Sequence, residues 1–221
     1  MAPEHALPDA EVLLIHRLAA DLRPVRRLAS PPRRALAWLL MVAALALVLA
    51  ATTDVGRFAQ RLAGATDMWL SVVGSVATAV LAAVAAFELS LPDRRPSWML
   101  LPLPALAVWV GASGMGCLRS WALPATHVAV MGETMDCLRF IVGLSVPLSA
   151  VLLLMLRRAR PLRPVPVAAM GGLAAAAAAA SLLGFVHPFD AGAVDLGIHA
   201  AAVILVVLLA RGAGVRVLAS R

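Results

Sequence analysis

The residues of this chain whose types and spacing bear on chemistry are few: two cysteines, five histidines and one carboxylate set inside an apolar stretch. Cys117 and Cys137 share one connection, Gly116 to Cys137, between the third and fourth of six apolar blocks. Two cysteines are too few for a disulfide scaffold but enough for one bridge or one redox pair. Cys117 follows the third block and Cys137 opens the fourth. A helix N-terminus favours thiolate and a C-terminus disfavours it, so Cys137, with Arg139 near it, is expected to be the more nucleophilic thiol and Cys117 its resolving partner or a bystander. In an oxidising compartment a bridge between them would alter the packing of the flanking helices. Two small buried apolar residues are the other reading. His127 in the same connection and His187 in the last one suggest a Cys/His metal site, but no tight ligand spacing supports it, and no metal or cofactor is expected. Glu88 lies within a turn or two of the end of its block, where it reaches interfacial water or pairs with Arg94 or Arg95 rather than forming part of a transport relay.

The elements that must position these groups follow from composition. Of 221 residues, 62% are hydrophobic and 14% charged, against roughly 25% charged in soluble domains. A water-soluble globule and a disordered chain are both excluded. The charge of +7 comes from arginines alone, since the chain has no lysine. They fall in short groups between apolar blocks and form no stripe interleaved with aromatics, so nucleic acid is not an expected partner.

Crossing the hydrocarbon takes about 20 mostly apolar residues. Six stretches qualify, near Ala35 to Ala51, Met68 to Leu89, Trp98 to Met115, Leu138 to Leu156, Val165 to Val186 and Ala193 to Ala210. They are apolar on every side and include the alanine run Ala174 to Ala180, which suits helix and not barrel strand. Pro102, Pro104 and Pro147 predict kinks. Gly171, Ala175 and Ala179 put small residues at every fourth position for close helix approach, which also leaves room for a homo-oligomer.

Arginine placement orients the spans. With the N-terminus inside, the inner segments hold Arg17, Arg23, Arg26, Arg27, Arg33, Arg34, Arg94, Arg95, Arg157, Arg158, Arg160, Arg163, Arg211, Arg216 and Arg221, and the outer segments hold only Arg57, Arg61, Arg119 and Arg139. Both termini are therefore expected in the cytoplasm. Leu49-Ala50-Ala51 loosely resembles a signal-peptide cleavage site, but the acidic segment ahead of it is too long for an n-region. The expected division is a cytoplasmic tail over 1–34, an all-α six-helix membrane domain over 35–210 and a C-terminal cytoplasmic tail over 211–221.

The tail predicts a short amphipathic helix. Asp9 can cap it, Glu11 falls in its first turn, and the pattern runs through Leu22 until Pro24 stops it. Leu14, Ile15, Leu18 and Leu22 share one face, with Arg17, Asp21 and Arg23 flanking or opposing it. So short a helix is marginal alone in water, so its stripe must be buried against the bilayer interface, its own membrane domain or the groove of a cytoplasmic partner. The stretch from Arg23 to Arg34, with Pro24, Pro31 and Pro32, reads as a basic, semi-extended tether.

The run Leu14-Ile15-His16-Arg17-Leu18-Ala19-Ala20-Asp21-Leu22-Arg23-Pro24-Val25, followed by basic residues and six spans, resembles the NrsF family (negative regulator of sigma-F) of bacterial inner-membrane anti-sigma factors. Gly132-Glu133-Thr134-Met135-Asp136-Cys137-Leu138-Arg139-Phe140-Ile141, continuing Leu144-Ser145-Val146-Pro147, is similar to that family's cysteine-centred motif. The resemblance implies that the tail, through Leu14, Ile15, Arg17, Leu18, Leu22 and Arg23, sequesters an extracytoplasmic-function sigma factor. It also implies release when an oxidative or heavy-metal stress reaches conserved cysteines, Cys137 matching the sensor thiol. This chain departs from the family in the last outer connection, where His187-Pro188-Phe189-Asp190 stands in place of a second cysteine. Pairing of Cys137 with Cys117, a soft metal held by Cys137 and His187, and loss of the cysteine mechanism all remain open. A small multi-pass transporter lacks coupling residues here, and a membrane thiol oxidoreductase lacks a Cys-x-x-Cys pair, so no enzyme is expected.

Overall fold

The alanine run ends up at the centre of the molecule. A computed structural model describes residues 9–20, 22, 27–64, 66–122, 131–186 and 193–219, and among these the secondary structure is helical throughout, without a strand. In chain order the α-helices are α1 (Asp9–Ala20), α2 (Pro31–Thr52), α3 (Val55–Gly64), α4 (Thr66–Leu89), α5 (Leu103–Ala122), α6 (Met131–Arg157), α7 (Pro164–Val186) and α8 (Ala193–Ala219). Six stretches of helix are long and apolar enough to cross a membrane, the mark of a multi-pass membrane protein. They lie over Pro31–Thr52, Thr66–Leu89, Pro96–Met115, Met135–Arg157, Pro164–Val186 and Leu196–Leu218.

Between helices in lipid there is no hydrophobic drive, so association rests on close van der Waals approach and small residues. α7 supplies them. Ala168 and Gly171 through Ala179 are buried in an unbroken run apart from its flanks, and α4, α6 and α8 pack around the helix. The fit against α8 is reciprocal. A β-carbon on Gly172 would lie 2.6 Å from the Ala210 β-carbon, and one on Gly214 would lie 2.3 Å from that of Ala168. These pairings run antiparallel, as the short α7–α8 connection requires. Gly171 of the expected small-residue face turns to α6, where Leu152 and Leu156 fill the space it leaves.

Serines tie the packed helices further. The Ser71 and Ser113 hydroxyls lie 3.0 Å apart between α4 and α5, and Ser181 of α7 donates to Ser75 of α4 at 2.9 Å.

Four element boundaries differ from the sequence expectation. Pro102 and Pro104 do not kink a single helix: a 3-10 turn over Pro96–Leu100 precedes α5, and the two prolines fall at the start of α5, where a missing N–H costs no helical hydrogen bond. α5 runs on to Ala122 and α6 starts at Met131, so both cysteines sit on helices and not in a long connection. α8 continues past Ala210 to Ala219, with Leu218 buried. α3, within what reads as an outer connection, is an additional helix whose Val55, Phe58 and Leu62 share a sequence stripe apart from Arg57 and Arg61.

Replacing Gly172 by Val is expected to destabilise the bundle by about 1–3 kcal/mol, since the Val207 backbone as well as Ala210 stands in the way. Thermal unfolding of the detergent-solubilised protein checks this, with Gly111→Ala, where nothing lies within 4 Å, as the neutral comparison.

Candidate functional site

Two regions matter, at opposite ends of the bundle: the end where the tail joins α2, and the far end, where α6 begins. At the tail end, Pro31 and Pro32 occupy the first positions of α2, where a missing N–H costs nothing, and Ser30 precedes them in an extended conformation. Beyond this start lies α1. Every side chain from Glu11 to Ala20 is exposed, including Val12, Leu13, Leu14, Ile15 and Leu18, the last at 61%. His16 Nδ1 lies 2.9 Å from the Val12 carbonyl within the helix. The expected stripe is therefore present and uncovered, but shorter than the sequence suggests. α1 ends at Ala20, and Leu22 follows it in non-helical backbone, its N–H donating to the Ala19 carbonyl at 3.3 Å. Leu22 therefore extends the apolar surface without continuing the helical face. Arg17 is exposed on α1, and Arg23 lies outside the described residues.

Where the tail meets the bundle, three helices converge through polar side chains. Arg34, only 7% exposed, donates through a guanidinium nitrogen to the Met155 carbonyl in the last turn of α6, and its guanidinium carbon stands 4.8 Å from the centroid of the Phe87 ring of α4. One turn further along α2, Trp38 Nε1 donates to the Leu148 carbonyl at 3.3 Å. Glu88 Oε2, near the end of α4, lies 2.9 Å from Arg94 Nε, so the expected pairing forms with Arg94; the N–H direction makes it an ion pair and not a good hydrogen bond. Sequence reading missed Arg34 and Trp38 as polar anchors. Their i, i+4 spacing beside a proline-led start was the available signal, but it named no partner.

At the far end, Cys137 is 3% exposed and lies in a cluster with Ile141, Ala179, Leu183 and Ala202, drawn from α6, α7 and α8. α6 begins six residues before it, so Cys137 does not open the helix. The local argument for a nucleophilic thiol, which needs the first helical turn, does not apply at this position. Arg139 is exposed and turned to Asp136 at 2.9 Å. Cys117 lies on the backbone of α5, a helix that packs on α4 and α8, whereas α6 packs on α7 and α8. The side chain of Cys117, together with His127 and His187, lies outside the described residues. Among the described residues no group of three or more His, Cys, Asp or Glu side chains is arranged to hold a metal ion.

Six helices long and apolar enough to cross a membrane, preceded by a helix whose Leu14, Ile15 and Leu18 are exposed, define a multi-pass membrane protein. The family described as NrsF, negative regulator of sigma F, matches residues 18–219, and the chain belongs to that family. Its members are named as negative regulators of a sigma factor. The match begins within α1, so Asp9 to Arg17 precede it. No curated protein and no solved structure matches the chain.

In a Cys117→Ser background, Cys137 is expected to resist a membrane-impermeant maleimide in native membranes and to label fully once the protein is unfolded in detergent. Labelling at the same rate in both states would contradict its burial.

Proposed function

We propose that this protein is an anti-sigma factor of the bacterial inner membrane, whose cytoplasmic tail over 1–34 sequesters an extracytoplasmic-function sigma factor. Its six-helix domain over 35–210 releases the partner when an oxidative or heavy-metal stress acts at the far end, near Cys137. The observation that carries this reading is the exposed stripe of Leu14, Ile15 and Leu18 in a member of a sigma-regulator family. A lone helix with such a stripe suits the groove of a helical partner, with Leu22 adding apolar area and Arg17 and Arg23 steering toward acidic residues. The excess of arginine in alternate connections supports a cytoplasmic location for the tail and for the segment over 211–221. Cys137 is the proposed sensor thiol. Its burial suits a sensor that answers to opening of the bundle, with Cys117 as the candidate partner after such a change.

Replacing Leu14 and Leu18 by Glu in the full chain is expected to abolish co-purification of a sigma factor, identified by mass spectrometry, from solubilised membranes, with the membrane level of the protein unchanged. Undiminished recovery removes the tail from the mechanism. Orientation has its own check: in a background without native cysteines, a thiol placed at Ala20 should react with an impermeant reagent only from the cytoplasmic side, and one placed at Asp136 only from the periplasmic side. Reaction of both from one side overturns the proposal.

A further inference from the structure

The buried residues of α2 are Pro31, Arg34, Ala35 and Trp38, all within its first two turns, and the remaining length of the helix faces outward or is only half covered. The helix that bears the tail is thus held to the bundle mainly at its tail end. Both polar side chains in that short buried patch donate to backbone carbonyls of one neighbour, α6: Arg34 to Met155 and Trp38 to Leu148. Met155 is among the last four residues of α6, whose carbonyls have no donor within the helix, so Arg34 supplies from another helix the positive group that a helix C-terminus favours. Leu148 directly follows Pro147, which has no N–H and leaves the Gly143 carbonyl without its helical donor. The two bonds therefore bracket the part of α6 that runs from just after Pro147 to its last turn. Ser145 and Ser149 flank Pro147, buried and with no hydrogen-bond partner for either hydroxyl. Buried polar groups are nearly always hydrogen-bonded, so these two hydroxyls mark a segment of α6 whose present packing leaves polar groups unmet.

Resting on the reading of α1 as the capturing element, we propose that Arg34 and Trp38 form a latch between α2 and α6. Its opening is the step by which a rearrangement of α6 weakens the tail's hold on the sigma factor. While latched, α2 starts from a fixed point and α1 stands clear of the bundle. Unlatched, Arg34 loses the Met155 carbonyl and the Phe87 ring and turns to anionic headgroups. The basic tether follows it to the membrane surface, and the stripe of α1 is drawn into the same interface, in competition with the partner. α6 is also the helix that carries Cys137 at its other end, so one element spans both regions.

The test uses the full chain in native membranes and in nanodiscs. Trp38→Phe keeps an aromatic ring and removes the N–H; Arg34→Gln removes the charge; Leu36→Ala, on the exposed face of the same turn, is the comparison. Trp38→Phe and Arg34→Gln are expected to lower recovery of the sigma factor that co-purifies with the wild-type chain by roughly fivefold or more at equal membrane abundance. In the partner-free protein, hydrogen exchange over 31–38 and 152–158 should rise together while 170–180 stays protected. Recovery within twofold of wild type for both variants, or faster exchange in α2 with none at 152–158, overturns the latch. Should Arg34→Gln fail to accumulate, Trp38→Phe alone decides. Absence of any sigma factor on the wild-type chain would instead sink the reading of α1, and the exchange measurement, which needs no partner, still decides whether the two helices are tied.

Discussion

Close approach of backbones along α7 is the constraint on which the architecture depends. A bilayer offers no gain for moving apolar surface from lipid to protein, so helices hold together where their atoms touch densely. Alanine and glycine along α7 let α4, α6 and α8 come near enough for that contact, and each of those helices then gives α2 or α5 a surface to rest on. Larger side chains at Gly172 or Gly214 would push α8 outward and loosen more than one interface.

Some polar side chains inside the bundle bond back to their own helix, as Thr78 does to the Gly74 carbonyl, and others reach across to a neighbour. Ser71 with Ser113, Ser75 with Ser181, and Arg34 and Trp38 with α6 each join two elements. Interhelical hydrogen bonds in membranes average only about 0.6 kcal/mol, so their value here is directional: they fix which face of each helix turns inward. Arg34 is the exception in kind. A buried guanidinium is tolerated because a carbonyl at a helix C-terminus and an aromatic face replace its water, two partners matched to a planar cation.

Much of the fold was legible in the sequence because bilayer thickness imposes one length on every span, and apolar blocks of that length need no partner to be recognised. The tail helix was legible for a related reason: its stripe at Leu14, Ile15 and Leu18 is a local pattern. What could not be read depends on contacts distant in sequence. Nothing local to Arg34 names Met155 as its acceptor. The start of α6 at Met131 was hidden because Gly132, Glu133 and Asp136 are polar, and hydropathy marks where a helix enters the membrane, not where it begins. That error moved Cys137 from inside a helix to its first turn and reversed the expectation for its surroundings. α3 escaped because ten residues fall short of a span, although Phe58 and Leu62 share the spacing of an amphipathic helix.

The connection between α1 and α2 consists of the ten residues 21–30. Fully extended, ten residues span at most roughly 33–36 Å. On the function proposed above, a protein docked on α1 is confined to a layer at the membrane surface about as thick as one small domain. Its search then becomes two-dimensional, and its encounters with anything carried on the chromosome fall even before any of its own surfaces is blocked.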